Sequence, residues 1–193
     1  MLFIVKVVKN IFISWKKKDF IIEIKENISK INQTKVKSAI SLLTKQKKNN
    51  KIILAGNGAS ASISSHVSID LTKAAGLRAI NFNEANLLTC FSNDYGYENW
   101  TSKALDFYAI PGDVVILVSS SGTSKNITNA AKKAKKMGLK IITLSGFSKK
   151  NSLLKLGDIN FHVDSKNYNV IESLHLIILL LIVEKIIDAK KNS

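Results

Sequence analysis

Two turns rich in glycine and hydroxyl side chains carry most of the chemistry open to this chain. Gly56-Asn57-Gly58-Ala59-Ser60 follows the apolar run Ile52–Ala55, and Ser119-Ser120-Ser121-Gly122-Thr123-Ser124 follows Val114–Val118. Each run reads as a strand, and each turn leads into a helix-like segment. A helix N-terminus carries unpaired N–H donors and roughly half a positive charge, so a hydroxyl-rich turn placed there suits a phosphate. The second turn holds no lysine. That chemistry fits holding a phosphate ester rather than transferring a phosphoryl group, which favours a phosphosugar over ATP.

To hold both turns at strand ends, the chain must alternate β and α elements. From residue 51 onward, short apolar runs predict strands at Ile52–Ala55, Arg78–Phe82, Val114–Ser119, Lys140–Ser145 and Ile159–Val163. Helical spacing predicts helices at Ser60–Ala75, Glu98–Tyr108, Ser124–Met137 and Asn169–Ala189. Gly76, Gly138 and Gly157 each fall just before a strand, where a helix-terminating glycine belongs. Continuous apolar strands between helices imply an α/β fold with a parallel sheet covered on both faces. Ligands in such sheets bind beyond the carboxyl ends of the strands, where both turns lie. Before residue 48, apolar residues from Ile21 to Leu43 recur at helical rather than alternating spacing, predicting one or two amphipathic helices.

The length of 193 residues fits a single domain, with an N-terminal helical region (1–48) packing on an α/β core (49–190). The sole cysteine, Cys90, excludes an intrachain disulfide and a multi-cysteine zinc site, and reads as a small buried apolar residue. A net charge of +15 raises a nucleic-acid reading. Arg78 is the only arginine, however, and the lysines are spread along the chain, so no nucleic-acid partner is expected. Lys6 and Lys9 interrupt the apolar Met1–Trp15, and Leu174–Val183 is too short to span a bilayer. A cytoplasmic protein without membrane insertion is the expectation.

Gly56, Gly58 and Ala61, with Glu84 after the next strand, satisfy a loose dinucleotide fingerprint. The polar Ser62, Ser64, Ser65 and His66 that follow disagree with the tight apolar helix packing such a site needs. A P-loop is excluded because no Gly-Lys-Ser/Thr occurs.

Together with these turns, His66-Val67-Ser68-Ile69-Asp70-Leu71-Thr72, Ser92-Asn93-Asp94-Tyr95-Gly96 and Pro111-Gly112-Asp113 complete a series in compatible order and spacing. The series resembles the sugar isomerase (SIS) domain and, more narrowly, the phosphoheptose isomerases, from about Lys35 to Ile187. The resemblance implies a three-layer sandwich with a five-stranded parallel sheet, flavodoxin-like and doubly wound, preceded by N-terminal helices. It also implies a homotetramer with active sites between subunits. The reaction implied interconverts sedoheptulose 7-phosphate and a manno-heptose 7-phosphate through an enediol, on the way to surface-polysaccharide heptose.

Carried over by position, the resemblance assigns Ser60, Ser119, Ser121 and Ser124 to the phosphate, with Asn57 beside them. Ser120 stands where the family usually has threonine, and Asp94 is expected to contact the sugar. Aldose–ketose isomerisation needs a base at the carbon beside the carbonyl and an acid at the enediol oxygen. The family's base is a glutamate four residues after a histidine; here His66 is followed by Asp70, one methylene shorter. The family's glutamine and acid histidine of the last helix fall on Glu172 and Leu180, and leucine transfers no proton. Asp70 as base, with Glu172 or His175 as acid, is one reading; His175 at a subunit contact and Glu172 as a solvated or sugar-contacting carboxylate is the other. No cofactor is required. Zinc, held by some relatives, would find His66, Asp70 and Glu172 but lose its ligand at Leu180. A non-catalytic or regulatory phosphosugar-binding protein, or an isomerase of a different sugar phosphate, remains open.

Overall fold

The computed structural model describes residues 19–191. Helices α1 (Phe20–Ile28) and α2 (Gln33–Thr44) precede strand β1 (Ile52–Ala55), followed by α3 (Ala59–Lys73) and β2 (Ala79–Asn81). Then come α4 (Ala85–Tyr95), α5 (Trp100–Tyr108), β3 (Val114–Val118), α6 (Lys125–Lys136) and β4 (Lys140–Ser145). A 3-10 turn (Leu153–Lys155), β5 (Ile159–His162) and the long α7 (Tyr168–Lys191) complete the described residues. The five strands form one parallel sheet in the order β2-β1-β3-β4-β5. That is the flavodoxin-like doubly wound order, whose strand sequence reverses direction between β1 and β3.

The alternation of side chains along the strands divides the core into two layers. Ile52 and Leu54 of β1, with Val114, Ile116 and Val118 of β3, face α2, α3 and α7. Ile53 and Ala55, with Val115 and Leu117, face Trp100, Ala104 and Leu105 of α5 and Ile127, Ala130, Ala131 and Ala134 of α6. α3 and α6 therefore cover opposite faces while both start at the carboxyl edge of the sheet. On α7 the stripe from Val170 through Leu174, Ile178 and Ile182 to Ile186 is buried. At about 1.5–3 kcal/mol for each enclosed aliphatic side chain, this stripe fixes the rotation of α7 and so the direction of its first turn.

The far edge of the sheet is closed by a buried carboxylate. Asp113 accepts from the Lys51 ammonium at 2.6 Å, from the Lys51 N–H at 2.9 Å and from the Ile110 N–H at 3.0 Å. Burial alone would raise its pKa; the Lys51 bond and the two N–H groups outweigh that and hold it below the ordinary carboxylate value.

Two expectations change. α4 has no counterpart among the helices expected from sequence, because none of its residues is fully buried and its Leu87, Leu88 and Phe91 pack only partly on the core. Its cap is Glu84, outside the usual cap residues, which accepts from the Leu87 N–H at 2.8 Å. Cys90, expected to be buried, is exposed, since it sits on the outer side of this helix. Among the described residues no helix is long and apolar enough to cross a membrane.

Candidate functional site

Ala55 pairs with Leu117 and Val118 with Leu144, so the turns after β1 and β3 leave the sheet side by side. They meet where the strand order reverses, the crevice in which doubly wound sheets hold ligands. The first turn must pass very close to the helix it starts. A Cβ on Gly56 would lie 2.6 Å from the Ser60 backbone, so no other residue lets α3 fold back over the end of β1.

The two helices that begin here lack side-chain caps. In α3 the Ser60 and Ala61 N–H groups bond to Asn57 O at 3.0 Å and Gly58 O at 2.9 Å, so α6 offers the more open first turn. α1, α2 and α4 are capped by the side chains of Asp19, Asn32 and Glu84. α3 and α6 start at Gly58 and Ser124 with no side-chain cap bond, as does α5 elsewhere. An uncapped first turn leaves backbone N–H groups for an anion, reinforced by the helix dipole.

A cavity of about 190 Å³ lies between these helix starts, lined by Asn57, Ser60, Val118, Ser119, Ser120, Ser121, Ser124, Tyr168 and Glu172. Asn57 and all the serines assigned to the phosphate end thus converge on one pocket. The Ser119 hydroxyl donates to Ser124 Oγ at 3.2 Å and accepts from the Gly122 N–H at 3.2 Å. Ser120 Oγ donates to Glu172 Oε1 at 3.3 Å, tying the second turn to the start of α7. Tyr168, one helical turn before Glu172, packs its ring edge-on against Phe147 at 4.6 Å between centroids. The pocket has a hydroxyl and N–H floor, one carboxylate and one aromatic wall. That combination suits a phosphate joined to a polyhydroxyl chain.

The other candidates lie apart from this lining. His66 Nε2 and Asp70 Oδ2 are 3.1 Å apart, one turn along α3, with side chains 53% and 34% exposed. Ile69 between them is 60% exposed, so this part of α3 presents both polar and apolar groups outward. Asp94 is exposed at the end of α4, where it accepts from Asn93 Nδ2 at 3.0 Å. His175 is wholly enclosed in the core, and burial pushes its pKa down to about 4, so the ring is neutral near pH 7. Leu180 packs on the apolar core. His162, on edge strand β5, is likewise held below its ordinary pKa by burial.

Within one chain, His66, Asp70 and Glu172 do not converge as zinc ligands. Among the described residues, no three His, Cys, Asp or Glu side chains are grouped to hold a metal. Leu180 offers no donor, so the residues of one chain do not make up the zinc set.

Sequence reasoning named Asn57 but not its surroundings. Asn126 of α6 and Asn57 each donate a side-chain amide N–H to the other's Oδ1 at 2.9 Å, and Tyr97 OH donates to Asn57 Oδ1 at 3.3 Å. Asn126 reads in the sequence as an ordinary first-turn helix residue, so nothing local marked it.

A family model described as the SIS domain matches residues 18–146. Phosphoheptose isomerase of Helicobacter pylori (strain HPAG1) is 35% identical over 135 residues, covering 67% of this chain and 70% of the relative. Phosphoheptose isomerase of Aliarcobacter butzleri (strain RM4018) is 34% identical over 162 residues, covering 79% of this chain and 85% of the relative. The structure of phosphoheptose isomerase GmhA from Neisseria gonorrhoeae superposes with a TM-score of 0.79 at 27% identity, covering 86% of this chain and 92% of the other. The chain belongs to the SIS-domain family, in the branch that holds the phosphoheptose isomerases.

Proposed function

We propose that the protein is a phosphoheptose isomerase. It interconverts sedoheptulose 7-phosphate and D-glycero-D-manno-heptose 7-phosphate through an enediol. The observation that carries this reading is the convergence of two uncapped helix starts and the serines of both turns on a pocket that also contains Glu172. The phosphate sits on the N–H and hydroxyl floor, and the sugar extends toward Glu172 and Tyr168.

Asp70 is the base that removes the proton beside the carbonyl, with His66 at 3.1 Å orienting it. Glu172 is assigned as the acid at the enediol oxygen, because it lines the pocket whereas His175 is enclosed and neutral. The reading needs no cofactor. The outward-facing His66, Ile69 and Asp70 support a homo-oligomer, read as a tetramer, in which a second copy brings α3 to the sugar. Asp94 is assigned to the sugar on the family resemblance, and the enzyme is placed in the cytoplasm.

Leu180, where the family's acid histidine would stand, favours a second reading: a regulatory protein that binds the phosphosugar without turning it over. Incubation with sedoheptulose 7-phosphate in deuterated water separates the two. The isomerase forms the aldose and incorporates deuterium at the carbon beside the carbonyl, and Asp70→Ala loses both. Tight binding with neither product nor exchange in the natural chain would falsify the isomerase assignment and leave the regulatory one.

A further inference from the structure

The hydrogen-bonding capacity of Asn57 is nearly spent before any ligand arrives. Its carbonyl oxygen, with two lone pairs, accepts from Asn126 Nδ2 at 2.9 Å and from Tyr97 OH at 3.3 Å. One of its two amide hydrogens goes to Asn126 Oδ1 at 2.9 Å. What is left is a single N–H. Asn126 is 2% exposed and both its amide hydrogens are used, one on Asn57 Oδ1 and the other on the buried Thr101 Oγ1 at 3.2 Å. A reciprocal amide pair of this kind resists the turning of one amide alone, because that sets oxygen against oxygen and N–H against N–H; Asn57 can turn only together with Asn126.

Asn57 lines the pocket beside Ser60 and Ser119. An anion there needs donors, and an amide free to turn would present its oxygen as readily as its N–H. From this we infer that Asn126, with Tyr97 in support, is a positioning residue that holds the Asn57 amide in the orientation that offers the bound phosphosugar its remaining N–H. The lock also ties the turn after β1 to the segment after α4 that carries Tyr97 and to the first turn of α6. Asn126 touches no ligand itself. The inference rests on the phosphosugar reading of this pocket and deepens it.

Binding of sedoheptulose 7-phosphate by titration calorimetry, with turnover measured separately, tests the lock in the full chain. Losing one oriented bond to a charged group weakens binding roughly tenfold or more, so Asn126→Ala raises Kd and KM by that factor while kcat stays within about twofold. Asn57→Ala gives a similar rise, and the double variant is no worse than either single one, since both remove the same donor. Asn126→Asp fills the same space should the alanine variant fold poorly; it sets a carboxylate oxygen against the Asn57 carbonyl and raises Kd at least as far. Multiplied effects in the double variant, or unchanged Kd in either Asn126 variant, overturn the lock. Failure of the natural chain to bind the sugar phosphate at all would instead strike the phosphosugar reading itself.

Discussion

Replacing Gly122 with alanine tests how the Ser119–Ser124 turn is supported. Gly122 has φ 65°, in the left-handed region, and a Cβ there would run into Asn151 Oδ1 and lie only 2.9 Å from Asn151 Cβ. The backbone contribution is about 1–2 kcal/mol. The contact cannot be relieved by a flexible tip, because Asn151 is 3% exposed and tied down on all sides. Its amide donates to Ser145 Oγ at 3.1 Å and Ser148 O at 2.7 Å, and its Oδ1 accepts from the Leu154 N–H at 2.9 Å. Displacing Asn151 breaks two or so of these bonds, at about 0.5–1.5 kcal/mol each. The sum is about 2–5 kcal/mol, and each kcal/mol lowers Tm by about 2–4 °C in a chain of this size.

Gly138→Ala supplies the control. Gly138 has φ 71°, but a Cβ there would meet nothing within 4 Å, so it loses only the backbone contribution. Denaturant melts of Gly122→Ala, Gly138→Ala and Gly122→Ala in an Asn151→Gly background isolate the steric part. In that background the cost of Gly122→Ala falls to the Gly138→Ala value, a coupling of about 1–3 kcal/mol. Equal losses at the two glycines, or no coupling to Asn151, would refute the reasoning.

The buried Asp113 predicts an acid limit. Its folded pKa lies below its unfolded one, so its contribution is fully present above the unfolded value and is lost as pH falls below about 4. Asp113→Asn destabilises by about 2–4 kcal/mol at pH 7 and flattens the fall in stability between about pH 5 and 3, measured by urea melts; an unchanged pH slope would sink the assignment. Glu172→Gln separates an acid from a mere sugar contact. As the acid, Glu172 is worth about 10²–10⁴ in kcat, so the variant loses that factor with little change in KM, whereas a kcat within threefold of the natural chain would remove Glu172 from the chemistry.

The elements that place the site were legible because burial is written in local periodicity. Four-residue apolar runs such as Ile52–Ala55, short and bounded by glycine and serine turns, read as strands covered on both faces, and those turns announced the crevice. α4 was not legible, since a helix lying on the surface with no enclosed residue leaves no strong apolar stripe to read. Cys90 followed the same error: its exposure depends on which side of that unseen helix faces out. His175 illustrates the opposite case. In the sequence it shares a helical neighbourhood with Glu172, yet the rotation of α7 fixed by its apolar stripe sends Glu172 to Ser120 and His175 into the core.

By itself the sequence determined the order of strands and helices and the two glycine- and serine-rich turns, because periodicity, glycine and helix-start chemistry act over a few residues. Tertiary structure decided which side chains meet at the crevice. The Asn57–Asn126 pair spans 69 positions and the Ser120–Glu172 contact 52. Such contacts are set by the strand order at the switch point and by how α6 and α7 dock on the sheet, and no local pattern carries that information.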